Sequence, residues 1–126
     1  MSEAQTLKAL EEIKIHGRCD SPYIVKYQDS FIDEEGRLNI VLEYCNEGDL
    51  HTYLEKRKEY LSEDEVWKIF IQVTLGLHHL HSQSILHRDL KSLNLFLTDG
   101  MKVKIGDLGS ASEDFKDNGT DGNLSL

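Results

Sequence analysis

One proline, two cysteines and one tryptophan occur in 126 residues, and positive charge is short: 14 lysines and arginines face 23 aspartates and glutamates, a formal net charge of −9. Each scarcity excludes something. An acidic surface repels phosphate backbones and anionic headgroups, so general nucleic-acid or membrane-surface binding is disfavoured. Cys19 and Cys45 lie far apart with no CxxC spacing, and the opening MSEAQTLKALEE has neither the basic start nor the apolar stretch of a signal peptide. Together these features predict a reduced protein, cytoplasmic or otherwise intracellular. No uninterrupted apolar run approaches the ~20 residues needed to cross a bilayer. Neither a repeat nor a low-complexity linker divides the chain, and its length allows one domain at most. With 39% hydrophobic and 29% charged side chains, the composition is that of a soluble globular sequence.

What is present reads as alternating local patterns. Leu7, Leu10, Ile13 and Ile15 lie close to helical spacing between Ala4 and His16, with Gly17 as a stop. After Pro22, Ile24 to Tyr27 and Ser30 to Ile32 are extended in character. The acidic turn Asp33-Glu34-Glu35-Gly36 follows, and Leu38 to Tyr44 resumes as a strand, which predicts a hairpin. Asn46-Glu47-Gly48-Asp49 breaks the pattern. Leu50, Tyr53 and Leu54 then predict a short amphipathic helix over Leu50 to Tyr60. Ser62 and Glu65 form a capping box ahead of the stripe Val66, Ile69, Phe70, Val73, Leu77 and Leu80, which predicts a long helix buried on one side. A second small hairpin is expected where Leu95-Phe96-Leu97 and Val103-Lys104-Ile105 flank Thr98-Asp99-Gly100. From Ser110 to Leu126 little remains to pack, which predicts a mobile tail.

The informative stretch is His87-Arg88-Asp89-Leu90-Lys91-Ser92-Leu93-Asn94, followed downstream by Asp107-Leu108-Gly109. It resembles the H-R-D-L-x-x-x-N loop of protein kinases and, with Leu108 in place of phenylalanine, their D-F-G motif. Phosphoryl transfer accounts for the residue types. An acceptor hydroxyl must be oriented and relieved of its proton, which suits the Asp89 carboxylate. Mg²⁺ is a hard cation that takes oxygen ligands, which suits the Asn94 amide oxygen and the Asp107 carboxylate. Lys91 places a positive charge near the transferring group. By contrast, His78, His79, His81 and His87 lack the companion spacing of a metal site and read as packing or surface residues. Cys45 reads as a small apolar residue at a strand end rather than a reactive thiol.

The resemblance to eukaryotic protein kinases runs over nearly the whole chain. Glu12 is similar to the regulatory glutamate of the C-helix, and Ser21-Pro22-Tyr23-Ile24-Val25 resembles the HPNIV turn after that helix. Ile40 to Cys45 resembles the hinge, which implies Leu42 as gatekeeper and backbone groups of Glu43 and Cys45 for adenine. The same resemblance implies Asp49 at the ribose and Phe96 as the adenine floor. Lys91 marks the serine/threonine branch. The run from His87 to Gly100, with Ser92 where proline is usual, and the run from Tyr44 to Leu50 are most like the NIMA-related (NEK) kinases. The implied fold is α+β and protein-kinase-like but partial: a small-lobe remnant over 1–44, the hinge and start of the helical large lobe over 45–109, and the start of an activation loop over 110–126. Implied with it are ATP and Mg²⁺ as cofactors and a protein Ser/Thr hydroxyl as acceptor, with no nucleic-acid or membrane partner. Arg88 is the implied reader of an activating phosphate, for which Thr120 and Ser125 are candidates.

In the family, a glycine-rich loop and a strand lysine precede the C-helix, and an A-P-E segment follows the activation loop. The sequence shows none of the three. The resemblance therefore implies an incomplete catalytic domain, with activity of this chain alone in question. Two alternatives stay open: a non-catalytic kinase-derived protein that binds another kinase or a regulatory partner through exposed apolar faces, and a truncated gene product.

Overall fold

Ser2 starts the first helix, α1 (Glu3–Gly17), by a reciprocal cap: its hydroxyl accepts from the Gln5 amide at 3.2 Å, and Gln5 Oε1 accepts from the Ser2 amide at 2.9 Å. The computed structural model describes residues 2–113. Burial along α1 is confined to its last turn, where Ile15 and His16 are buried, while Leu7 and Leu10 are 63% and 52% exposed. The apolar spacing of the sequence thus marks a face that is covered only at its C-terminal end among the described residues. His16 Nε2 hydrogen-bonds the Val25 carbonyl and so draws the following segment against the helix.

The first expected hairpin is present as β1 (Tyr27–Ile32) and β2 (Leu38–Leu42), antiparallel, with an irregularity in register between Tyr27 and Asp29. Asp33 closes its turn by accepting from the amides of Glu35 at 3.0 Å and Arg37 at 2.9 Å. Helix α2 (Leu50–Lys56) is capped by Asp49. It ends at Lys56 rather than Tyr60 because Arg57 adopts extended backbone and turns its guanidinium to Glu65. Helix α3 (Glu63–Ser82) begins at the expected Ser62–Glu65 box. Its stripe is buried at Ile69 and Leu80, but Val66 and Phe70 are 49% and 59% exposed.

After α3 come a two-residue strand, β3 (Ile85–Leu86), a 3-10 turn over Ser92–Asn94, and the second expected hairpin, β4 (Leu95–Thr98) with β5 (Lys102–Ile105). A further 3-10 turn over Leu108–Ser110 leads to β6 (Ser112–Glu113), which pairs antiparallel with β3. The sequence predicts a mobile tail from Ser110. Ser112 and Glu113 are strand residues, their backbone groups taken up by Ile85 and Leu86, and the rest of that segment, 114–126, lies outside the described residues.

Ile15, Ile24, Leu80, Ile85, Leu97, Val103, Ile105 and Leu108 form one buried cluster that joins α1, α3 and the β4–β5 hairpin. Burying each such side chain contributes about 1.5–3 kcal/mol. The segment after α1 is also held to β5 by backbone bonds, Val25 N to Ile105 O at 2.9 Å and Ile105 N to Tyr23 O at 2.8 Å. Three α-helices and separate antiparallel strand pairs make this an α+β structure, as expected. Among the described residues no helix is long and apolar enough to cross a membrane.

Candidate active site

A cleft of about 590 Å³ opens between α1, the end of β2 and the β4–β5 hairpin, a volume suited to a small-molecule ligand. Glu12 lines it from α1, Leu42, Glu43, Tyr44 and Cys45 from the chain leaving β2, and Asn94, Phe96, Gly106 and Asp107 from the opposite side. These candidates are distant in sequence, and the core brings them to one place. Gly106 is required by close approach: a Cβ there would sit 2.6 Å from Phe96 Cε2.

The loop carrying Asp89 is anchored through a buried histidine. His87 Nε2 lies 2.8 Å from the Gly106 carbonyl, and its Nδ1 accepts from the Asp89 amide at 3.2 Å. Both bonds are satisfied only by the tautomer with the proton on Nε2. Asn94 strengthens the same link. Its Nδ2 donates to Asp89 O at 2.8 Å and Asp89 Oδ2 at 3.3 Å, while its carbonyl accepts from the Gly106 amide at 2.8 Å. No described group donates to Asn94 Oδ1. Lys91 Nζ stands 3.6 Å from Asp89 Oδ1, both side chains being partly exposed.

Asp107 adopts left-handed backbone (φ 52°, ψ 74°), a conformation that aspartate tolerates better than most residues, and accepts from the Gly109 amide at 3.3 Å. The next residue, Leu108, is buried in the cluster with Ile15, which holds the Asp107 turn beneath α1. Glu12 is close by: a Cβ on Gly109 would lie 3.6 Å from Glu12 Oε2. Glu12 makes no ion pair among the described residues. Arg88, also with positive φ (68°), donates from Nε to the Ser110 carbonyl at 2.8 Å. The segment after Asp107 is thereby tied to the Asp89 loop.

On the hinge side, the Glu43 amide donates to Lys26 O at 2.8 Å. The Glu43 carboxylate accepts from Lys26 N at 2.9 Å and pairs with Lys104 Nζ at 2.9 Å. Burial pushes this carboxyl upward, but the hydrogen bonds from Lys104 and Lys26 outweigh it, and the group stays below the usual carboxylate range. Burial first, and the Glu43 charge second, push the Cys45 thiol up, which makes it a poor nucleophile, consistent with its apolar reading.

Of the hinge-side candidates, Asp49 lies outside the lining of the cleft. Its carboxylate caps α2, accepting from Thr52 N at 2.8 Å and Thr52 Oγ1 at 2.9 Å. Thr120 and Ser125 lie outside the described residues. Lys104 and the anchoring role of His87 were not read from the sequence. A charged residue alternating with buried Val103 and Ile105 was the available signal for Lys104.

The cleft is thus bounded by the chain leaving β2 on one side, and by Asn94 with Asp107 on the other. The protein kinase domain model matches residues 1–121, and the chain belongs to the protein kinase family. It is similar to serine/threonine-protein kinase Nek3 of Mus musculus, 44% identical over 111 residues, which cover 87% of this chain and 21% of that protein. Nek5 of Mus musculus is 45% identical over 102 residues (79% of this chain, 16% of that protein), and Nek1 of Mus musculus is 40% identical over 112 residues (88% and 9%). These names agree with the NEK resemblance of the catalytic loop and hinge. The chain spans about a fifth or less of the length of these relatives.

Proposed function

We propose that the chain is the nucleotide-binding and catalytic-loop segment of a Nek-like serine/threonine kinase, which transfers the γ-phosphoryl group of ATP to protein Ser/Thr hydroxyls. The observation that carries this reading is the convergence of Asn94 and Asp107 on one cleft, with Asp89 bonded to Asn94.

The donor set fits Mg²⁺. Because Asn94 Nδ2 is engaged by Asp89, Oδ1 is the atom left for a cation, and Asp107 adds a carboxylate. One amide oxygen and one carboxylate are enough protein ligands for an ion that takes the rest from phosphates and water. MgATP bound there supplies the transferable phosphoryl group and neutralises its charge.

The other roles belong to the chain's own residues. Leu42, Glu43 and Cys45 form the adenine edge, and Phe96 forms its floor. Asp89 orients the acceptor hydroxyl and takes its proton at a carboxylate oxygen, while Lys91 steadies negative charge at the same place. In this reading Asp49 serves first as the cap of α2 and reaches the ribose only from the rim. Residues 1–44 contribute the small-lobe wall, and 45–109 contribute the hinge and catalytic loop.

Titration with ADP in the presence and absence of Mg²⁺ tests the reading. The wild-type chain should bind ADP more tightly with Mg²⁺, and Asp107→Asn should lose that gain. In the full-length protein, Asp89→Asn should lower kcat by about 10²–10⁴-fold. Binding that is indifferent to Asp107→Asn overturns the assignment.

A second reading, a kinase-derived binding protein, is favoured by the apolar face on α3, where Trp67, Phe70 and Ile71 are about half exposed. It predicts no Mg²⁺-dependent nucleotide binding.

A further inference from the structure

The Glu43 carboxylate is where three segments meet. Its Oε1 accepts from the Lys26 amide, just before β1, at 2.9 Å; both of its oxygens lie against Lys104 Nζ of β5, at 3.1 and 2.9 Å; and its own backbone belongs to the hinge. The ion pair is shielded, with side-chain exposures of 14% for Lys104 and 25% for Glu43. Lys104 stands opposite Phe96 in the β4–β5 register and lies just upstream of Gly106 and Asp107 in sequence. The adjacent Val103 and Ile105 point into the core, so the alternation of a strand sends Lys104 to the other face, toward the hinge.

We propose that Lys104 is a positioning residue for the nucleotide: through Glu43 it sets the spacing between the hinge backbone at one end of the cleft and Asn94 and Asp107 at the other. The proposal rests on the nucleotide reading of the cleft. A ligand that engages both ends gains from the second contact only if the spacing matches its own length. Without the ammonium group, Glu43 is a partly buried charge that has lost its ion-pair partner, and the hinge loses its side-chain tie to β5. A ligand that engages only the adenine end does not sense that change. A merely structural role for Lys104 would weaken both kinds of ligand alike.

Calorimetric titration of the chain with adenosine, and separately with ADP plus Mg²⁺, tests this. Lys104→Met should weaken MgADP binding about tenfold and adenosine binding by less than about twofold, the difference being the lost second-site gain. Lys104→Arg should restore most of the MgADP affinity. Glu43→Gln retains an oxygen for the Lys26 amide but removes the charge, and should likewise weaken MgADP binding. Equal losses for the two ligands, or no loss in any variant, overturns the positioning role while leaving the nucleotide site standing. If the wild-type chain binds neither ligand, the nucleotide reading fails and this inference falls with it.

Discussion

Glu65 closes two structures with one carboxylate: Oε1 accepts from the Ser62 amide at 3.2 Å, completing the cap of α3, and from Arg57 Nη2 at 2.9 Å, joining α3 to the end of α2. The Arg57 hydrogen bonds, followed by the Ser62 amide, hold the Glu65 carboxyl down to about 2, against an ordinary value of 4.5. A carboxyl depressed in the folded state contributes stability that is present above its unfolded value and is lost as pH falls through the folded value. The urea midpoint of the wild type should therefore exceed that of Glu65→Gln at neutral pH, and the gap should close between about pH 4.5 and pH 2. A gap independent of pH refutes the link.

Gly76 lies in the middle of α3, where alanine would ordinarily add about 1 kcal/mol of helix stability. Here a Cβ would meet Ile105 Cδ1 at 2.8 Å and the Tyr23 carbonyl at 3.0 Å. Gly76→Ala should destabilise the chain by about 1–3 kcal/mol, because α3 must move away from β5. Chemical denaturation gives the sign directly.

At Gly106 the obstruction is Phe96, whose ring carbons would lie 2.6 and 2.7 Å from an added Cβ, with Val25 Cγ2 at 3.2 Å behind them. Gly106→Ala should displace the ring from the floor of the cleft. Adenosine binding should weaken severalfold, beyond what a Phe96-independent change in folding explains, and Gly106→Ala combined with Phe96→Leu should recover part of it. Calorimetric titration of both variants decides the point.

Leu80 is fully buried and Leu75, on the same helix, is 41% exposed. Leu80→Ala should cost about 2–5 kcal/mol through lost burial and the cavity left behind. Leu75→Ala should stay within about 0.5 kcal/mol. Comparable losses, measured by urea unfolding, would show that the Leu75 face is covered in solution.

Much of this molecule could be read locally. The Ser62–Glu65 cap, the turns at Asp33–Gly36 and Thr98–Gly100, and both hairpins arise from residues a few positions apart, so their patterns survive in one dimension. The Asp89–Asn94 loop was legible for the same reason, since its chemistry is written in consecutive residues. Periodicity, however, states which residues share a face and not what covers it. That is why the stripes on α1 and α3 were both recognised, yet Leu7 and Phe70 stand exposed while Ile15 and Leu80 are buried. The pairing of β6 with β3 left no trace either, because two-residue strands carry no alternation. Arg18 bridges that corner, donating to Glu113 Oε1 at 2.6 Å and to the Gln83 carbonyl at 2.9 Å.

The family to which the chain belongs, and the kind of side chain each candidate position offers, followed from residue types and their short spacings, because side-chain chemistry and local backbone preference travel with the residue itself. The assembly of those groups into a site did not. Glu12 meets the Asp107 turn because Leu108 packs with Ile15, and Glu43 meets Lys104 across sixty-one positions of sequence because β5 lies against the hinge. Such encounters are set by which apolar surfaces bury one another. Burial is nearly blind to sequence distance, so the ends of the cleft were joined by the core and not by any motif.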